Sequence, residues 1–285
     1  MGSRRTKKKS LLVDGNGLFS VDFLKIAALL TMFLDHIGAG ILENWILYHY
    51  NGDAVLYRKI LAADTVLRCV GRMSFPLYCW LLVQGFLYTK NRMKYALRLL
   101  IFALVSEVPF DVLFFEGFTM EHQNVFWTLL ISLITLILID YLEHLEKTMV
   151  PDGKSIFPVL WKAVLITAAV GTGMLVAHCL KTDYSWKGVL LIAAFYLMRP
   201  DRMMQIIWPA TIFLAAYFLE YIWIGWDPSS ALNDIFASKW TVYLASLFVW
   251  RCNGKKVLKQ GKYFFYLFYP MHMLLLIFVR FLLYF

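Results

Sequence analysis

Cysteine is scarce in this sequence, and its few residues form no paired or regular spacing. Four cysteines occur, at positions 69, 79, 179 and 252, each within or at the end of an apolar segment. Disulfide frameworks and zinc sites are predicted from paired or regularly spaced cysteines. We therefore expect neither a disulfide framework nor a bound metal ion.

The sequence also lacks any polar stretch long enough for a separate soluble domain. Hydrophobic residues make up 60% of the chain and aromatic residues 17%, with a mean hydropathy of +0.62. A soluble domain is about 45–50% apolar. The composition predicts an all-α, polytopic membrane bundle: a basic cytoplasmic tail at 1–18, then a single membrane domain at 19–285.

Apolar windows long enough to cross a bilayer recur along the whole membrane domain. They predict about nine transmembrane helices, with ten as the upper figure, because each crossing needs about 20 mostly apolar residues. A kink is expected just before Pro76 in the second span. The predicted spans are 19–42, 62–88, 95–115, 125–145, 157–180, 186–198, 203–224, 240–250 and 263–285.

The charged residues between these windows predict an orientation. The net charge is +9, and cations are retained on the cytoplasmic side of membrane proteins. With the N-terminus in the cytoplasm, the outer loops carry the acidic residues Glu116, Glu121, Asp227 and Asp234. The inner loops then carry the cations at positions 90, 92, 94, 98, 199, 202, 251, 255, 256, 259 and 262. The pattern indicates a plasma (inner) membrane protein and no nucleic-acid partner.

Ionisable residues within the first span mark a candidate site, because such groups are costly in hydrocarbon. Lys25 and His36 are eleven residues apart and so share one helix face, about 16 Å apart along the axis. Asp22 and Glu43 lie near the same stripe. Asp35 is rotated about 100° from His36, so we expect the partner of His36 to come from another helix. His36 is either a hydrogen-bonded core residue or a catalytic one.

Two arginines and two carboxylates on neighbouring spans have matching spacing. Arg68 and Arg72 are four residues apart, as are Glu107 and Asp111. An arginine pair on one helix face can hold a phosphate or carboxylate. Alternatively, the arginines pair with Glu107 and Asp111, which would itself hold a site in place.

Later spans add three further candidates: Asn124 at the start of the fourth span, and Tyr269 and His272 beside Pro270 in the last. We find no internal repeat and no matching Gly/Pro breaks of the kind that secondary transporters show. That absence disfavours a transporter.

Several motifs together resemble the TraX family. They are residues 24–38 (LKIAALLTMFLDHIG), 68–78 (RCVGRMSFPLY), 106–111 (SEVPFD), 123–126 (QNVF) and 269–272 (YPMH). The resemblance covers most of the chain from about residue 22 onward. The TraX protein of the F conjugation system acetylates the N-terminal residue of pilin. Its family is similar to the transmembrane acyltransferases, whose first helix carries a basic residue, ten intervening residues and a histidine, the spacing of Lys25 and His36.

The resemblance implies transfer of an acetyl group from cytoplasmic acetyl-CoA to an amine or hydroxyl outside the membrane. The acceptor would be a pilin-like N-terminus or a glycan; a homodimer is left open. Three sets of roles follow. The catalytic set has His36 as general base, with Asp35, Glu107 or Asp111 orienting it. The cofactor-binding set is Lys25, Arg68, Arg72 and Lys94, and the substrate-binding set is His272, Asn124 and Tyr269.

Three alternatives stay open on the sequence alone. Transfer could be direct or proceed through an acetyl-histidine. The same histidines, carboxylates and arginines could instead form the relay of a proton-coupled transporter or flippase. The chain could also be a non-catalytic scaffold of a conjugation or secretion machine.

Overall fold

The computed structural model describes residues 16–50, 52–119, 121–149, 156–257 and 263–284. These residues form helices and no named strand, which confirms the all-α prediction. Of the predicted tail at 1–18, all but the last three residues lie outside the described part of the chain. The helices are α1 (Val21–Ile37), α2 (Glu43–Tyr48), α3 (Ala54–Gly71), α4 (Ser74–Tyr88), α5 (Arg92–Phe115), α6 (Val125–Met149), α7 (Ile156–Cys179), α8 (Ser185–Leu197), α9 (Arg202–Trp223), α10 (Pro228–Asp234), α11 (Val242–Trp250) and α12 (Tyr263–Tyr284).

Six helical stretches of the described chain are long and apolar enough to cross a membrane, so the chain is a membrane protein. They are Val21–Tyr48, Ala54–Tyr88, Val125–Leu145, Val159–Cys179, Arg202–Trp223 and Tyr263–Leu283. The prediction of about nine also counts α5, α8 and α11. Helix α5 has 24 residues but five charged side chains, and α8 and α11 have 13 and nine residues. The count of nine and the choice of membrane stay predictions.

Short polar residues start the helices where the hydropathy falls. The side chain of Ser20 accepts a hydrogen bond from the first turn of α1, and Asp53, Asn91 and Asp201 do the same for α3, α5 and α9. Such caps satisfy backbone N–H groups that have no partner inside the helix. The expected kink before Pro76 is present, since α3 ends at Gly71 and α4 begins at Ser74.

The first helix passes through a π-helical segment, Gly38–Leu42, between α1 and α2. Here the first span and α3 approach so closely that no side chain would fit at Gly38 or Gly71. A Cβ atom on Gly38 would lie 2.8 Å from Asp64 Oδ1, and one on Gly71 would collide with the carboxylate of Asp35. Glycine permits this approach because it has no Cβ. The close packing brings the charged residues of α3 against those of α1.

Hydrogen bonds of backbone N–H groups show which loops lie together at each end of the helix bundle. At the end that holds the start of α1, the N–H of Phe19 donates to Arg251 O at 3.0 Å, and that of Val257 to Asp22 Oδ2 at 2.6 Å. At the opposite end, the N–H of Asp183 donates to Gln123 O at 2.8 Å. The first grouping joins the N-terminal region and the basic loop after α11, as the predicted cytoplasmic face requires. We call these the inner and outer ends.

Candidate active site

A pair of directly bonded histidines joins α1 to α12. His36 Nδ1 lies 2.7 Å from His272 Nε2, and the two rings stack with centroids 4.8 Å apart. The edges of Phe114 and Tyr269 enclose the His36 ring at 5.1 and 5.8 Å. The prediction that His36 has a partner on another helix is confirmed. The other ring nitrogen of His272, Nδ1, is 2.8 Å from the carbonyl oxygen of Phe268.

Arg68 forms ion pairs with two carboxylates, Asp35 near the end of α1 and Glu43 at the start of α2. Its Nη1 lies 2.8 Å from Asp35 Oδ2, and its Nε lies 3.0 Å from Glu43 Oε1. The interpretation in which Arg68 pairs with Glu107 and Asp111 is therefore wrong. The cause is the close approach of α1 and α3, which sequence spacing does not reveal.

Arg72 lies in a second group of polar side chains beside Asp35. Tyr184 and Tyr217 are within electrostatic range of its guanidinium, and so is Asp183 in the loop between α7 and α8. Burial raises the pKa of Asp183 to about 6, although the charge of Arg72 opposes that shift. Sequence reasoning did not select Asp183 as a site residue, because an acidic residue in a loop has no distinguishing spacing.

A cavity of about 600 Å³ lies between α1, α4, α5, α6 and α12, and extends from Asp22 and Lys256 at the inner end to Val125 and Tyr269 within the bundle. Three cations line it: Lys25, Arg98 and Lys256. Lys25 is paired with Asp22 at 2.9 Å, whereas the buried Nε of Arg98 has no hydrogen-bond partner. The cavity reaches Tyr269. The ring of Tyr269 also meets that of His36, with centroids 5.8 Å apart, so Tyr269 connects the cavity lining to the histidine pair, although neither histidine lines the cavity.

The predicted cofactor-binding residues divide between two places. Lys25 lines the cavity, whereas Arg68 and Arg72 lie outside its lining, with the carboxylates of the first helix. Lys94 is exposed and does not line the cavity. Arg98, one turn further along α5, does. The only sequence signal for Arg98 was its membership of the inner-loop cations.

Glu107 and Asn124 bind each other rather than facing the histidines. Glu107 Oε2 accepts from Asn124 Nδ2 at 2.5 Å and from Trp127 Nε1 at 2.8 Å. Asn124 Oδ1 accepts a hydrogen bond from the N–H of Phe126 at 3.0 Å, and Asn124 thereby caps α6. Asp111 Oδ2 accepts from the N–H of Thr119 at 3.0 Å. These contacts fix the α5–α6 connection, and the predicted catalytic and binding roles of these residues stay predictions.

Comparisons with known proteins agree with these motifs. A family model described as "TraX protein" matches residues 20–280. A curated relative, the probable fimbrial assembly protein FimC of serogroup H1 from Dichelobacter nodosus, is 29% identical over 271 residues, which are 90% of this chain and 94% of the relative. No solved structure matches. The match to the family model covers nearly the whole membrane domain, and the chain therefore belongs to the TraX family.

Proposed function

We propose that this protein is a membrane-embedded acetyltransferase. It would move an acetyl group from cytoplasmic acetyl-CoA to an amine or hydroxyl of an acceptor outside the membrane. The observation that carries the proposal is the cavity of about 600 Å³ whose lining includes Tyr269, the residue that packs against both rings of the histidine pair. Membership of the TraX family supports it.

The cavity suits a long anionic ligand with an apolar end. Its volume falls within the range of about 300–1,000 Å³ typical of small-molecule sites. Lys25, Arg98 and Lys256 would hold the phosphates, which arginine and lysine bind well. The deep end beside Tyr269 would receive the thioester.

His36 has the chemistry of the general base. Its Nε2 would take the proton from the acceptor nitrogen or oxygen while the electron pair of that atom forms a bond to the acetyl carbon. The carbon–sulfur bond then breaks, and His36 returns the proton to the sulfur of the leaving thiolate. A neutral imidazole suits both steps because it can accept a proton and then return it.

Charge on the outer side favours an amine as the acceptor. Five carboxylates there lie within electrostatic range of three cations: Asp35, Glu43, Asp64, Asp183 and Asp234 against Arg68, Arg72 and Lys239. A cationic amine would offset the excess negative charge when it binds, and it would release one proton to water before the neutral amine attacks the thioester. The name of the curated relative associates that protein with fimbrial assembly. We extend the association to this chain and propose a pilin-like N-terminus as the acceptor.

The test uses the purified protein in lipid nanodiscs with acetyl-CoA and a peptide that has a free N-terminus. We expect free CoA to accumulate in step with peptides that carry one acetyl group. The same peptide with a blocked N-terminus is the control and should stay unmodified. If acetyl-CoA is neither bound nor consumed, the acetyltransferase proposal fails, and a transporter that uses the buried charges becomes the better account.

A further inference from the structure

Three groups in a row connect the backbone of α12 to the first helix: the carbonyl oxygen of Phe268, the ring of His272 and the ring of His36. The contacts are 2.8 Å from Phe268 O to His272 Nδ1 and 2.7 Å from His272 Nε2 to His36 Nδ1. A carbonyl oxygen only accepts, so Nδ1 of His272 must carry a hydrogen.

The first contact determines the second. A neutral imidazole carries one hydrogen, on one nitrogen, and the other nitrogen is an acceptor. Since Nδ1 of His272 holds the hydrogen, its Nε2 accepts, and His36 Nδ1 must donate. His36 Nε2 is then left with a bare lone pair.

We propose that His272 is a positioning residue that fixes the tautomer of His36 and so presents the Nε2 lone pair of His36 as the base. The inference rests on the proposed function and sharpens it. The sequence placed His272 among the substrate-binding residues, and the geometry opposes that role. Both its ring nitrogens are occupied by protein groups, and the residue is only 3% exposed.

The surroundings of His272 hold its ring in one orientation. Phe268 stacks on it with centroids 5.0 Å apart, and the rings of Phe33 and Tyr269 meet it edge-on at 6.0 and 5.7 Å. A ring packed on several sides keeps Nε2 directed at His36. Orienting partners of this kind set the tautomer of a catalytic imidazole and stabilise the imidazolium that forms during the reaction.

Two substitutions separate positioning from packing. In His272→Gln the amide oxygen can accept from His36 Nδ1 at the place of Nε2, whereas His272→Leu fills the space without an acceptor. We expect His272→Leu to lower kcat by roughly 10- to 1,000-fold with little change in KM for acetyl-CoA. His272→Gln should recover most of that loss. His178→Leu, an exposed histidine near the end of α7, is the matched control and should leave kcat unchanged.

A spectroscopic measurement tests the tautomer without any activity. Imidazole 15N shifts of the labelled protein, assigned with His36→Ala, report which ring nitrogen carries hydrogen. We expect His36 to show hydrogen on Nδ1 in the wild type and in His272→Gln, and to change tautomer in His272→Leu.

The two proposals fail in different ways. Hydrogen on Nε2 of His36 in the wild-type spectrum overturns the positioning role, even if the enzyme is active. The expected spectrum together with no acetyl transfer leaves the tautomer assignment standing and rejects the enzyme. Equal loss of kcat in the Gln and Leu variants, with the wild-type spectrum kept in both, would show that His272 acts only through packing.

Discussion

The inner and outer halves of the site carry opposite excess charge. Among the described residues that line the inner cavity, three cations stand against one carboxylate, Asp22. On the outer side, five carboxylates lie within electrostatic range of three cations, Arg68, Arg72 and Lys239. Both groups contain buried or half-buried cations, so the presence of cations alone does not identify a phosphate site. Under the proposed function, the anionic donor would bind in the inner half and a cationic acceptor in the outer half, with His36 between them.

The largest effect is expected at the boundary between the halves. His36→Ala removes the proposed base, and general acid–base catalysis contributes about 10²–10⁴-fold. We expect kcat for peptide acetylation to fall by roughly that factor while acetyl-CoA still binds, because His36 does not line the cavity. His178→Ala is the control. Wild-type activity in folded His36→Ala protein would remove His36 from the mechanism.

The outer half should depend on Arg68 for stability. Arg68→Gln removes the ion pairs with Asp35 and Glu43. Breaking a buried pair from one side costs about 3–5 kcal/mol, and the loss here should be smaller because Glu43 is 43% exposed and Arg72 still lies beside Asp35. We expect a clear fall in Tm in detergent. Adding Asp35→Asn should recover part of the loss, because one unpaired carboxylate is then removed. If the double variant is as unstable as the sum of the single variants, the pair does not interact.

The inner half should depend on Arg98 for binding. Arg98→Gln removes one cation from the cavity, and we expect the Kd for acetyl-CoA to rise by about tenfold, as for loss of a hydrogen bond to a charged group. Lys94→Gln, one turn away and exposed, is the matched control and should change Kd little. The measurement is thermal stabilisation by acetyl-CoA against a panel of nucleotides. A larger effect from Lys94 than from Arg98 would contradict this assignment of the cavity.

The sequence was enough to predict the membrane bundle and the starts of most long helices, because hydropathy acts locally, although α3 begins at Ala54 rather than at residue 62. It also selected Lys25 and His36, whose roles stay predictions. It did not predict that Arg68 bonds Asp35 and Glu43, since that pairing follows from the glycine-mediated contact of α1 and α3. Nor did it identify Arg98 or Asp183, which become site residues only when distant helices meet. His272 was selected, but only the structure shows both its ring nitrogens occupied.

The smallest effect is a pH dependence at Asp183 that tests the excess of acid on the outer side. Its pKa is raised from an ordinary value near 3.8 to about 6, so the folded protein binds this proton more tightly than the unfolded chain does. The contribution of Asp183 to the free energy of unfolding should therefore decrease as the pH rises from about 4 to about 6. Asp183→Asn avoids the loss, and we expect its Tm to exceed that of the wild type by about 2–4 °C at pH 8, equivalent to about 1 kcal/mol. The difference should vanish at pH 4, where Asp183 is protonated in the folded protein. A lower Tm for Asp183→Asn at pH 8 would show that the Asp183 carboxylate stabilises Arg72 by more than its burial costs, and the outer half would then be balanced rather than acidic.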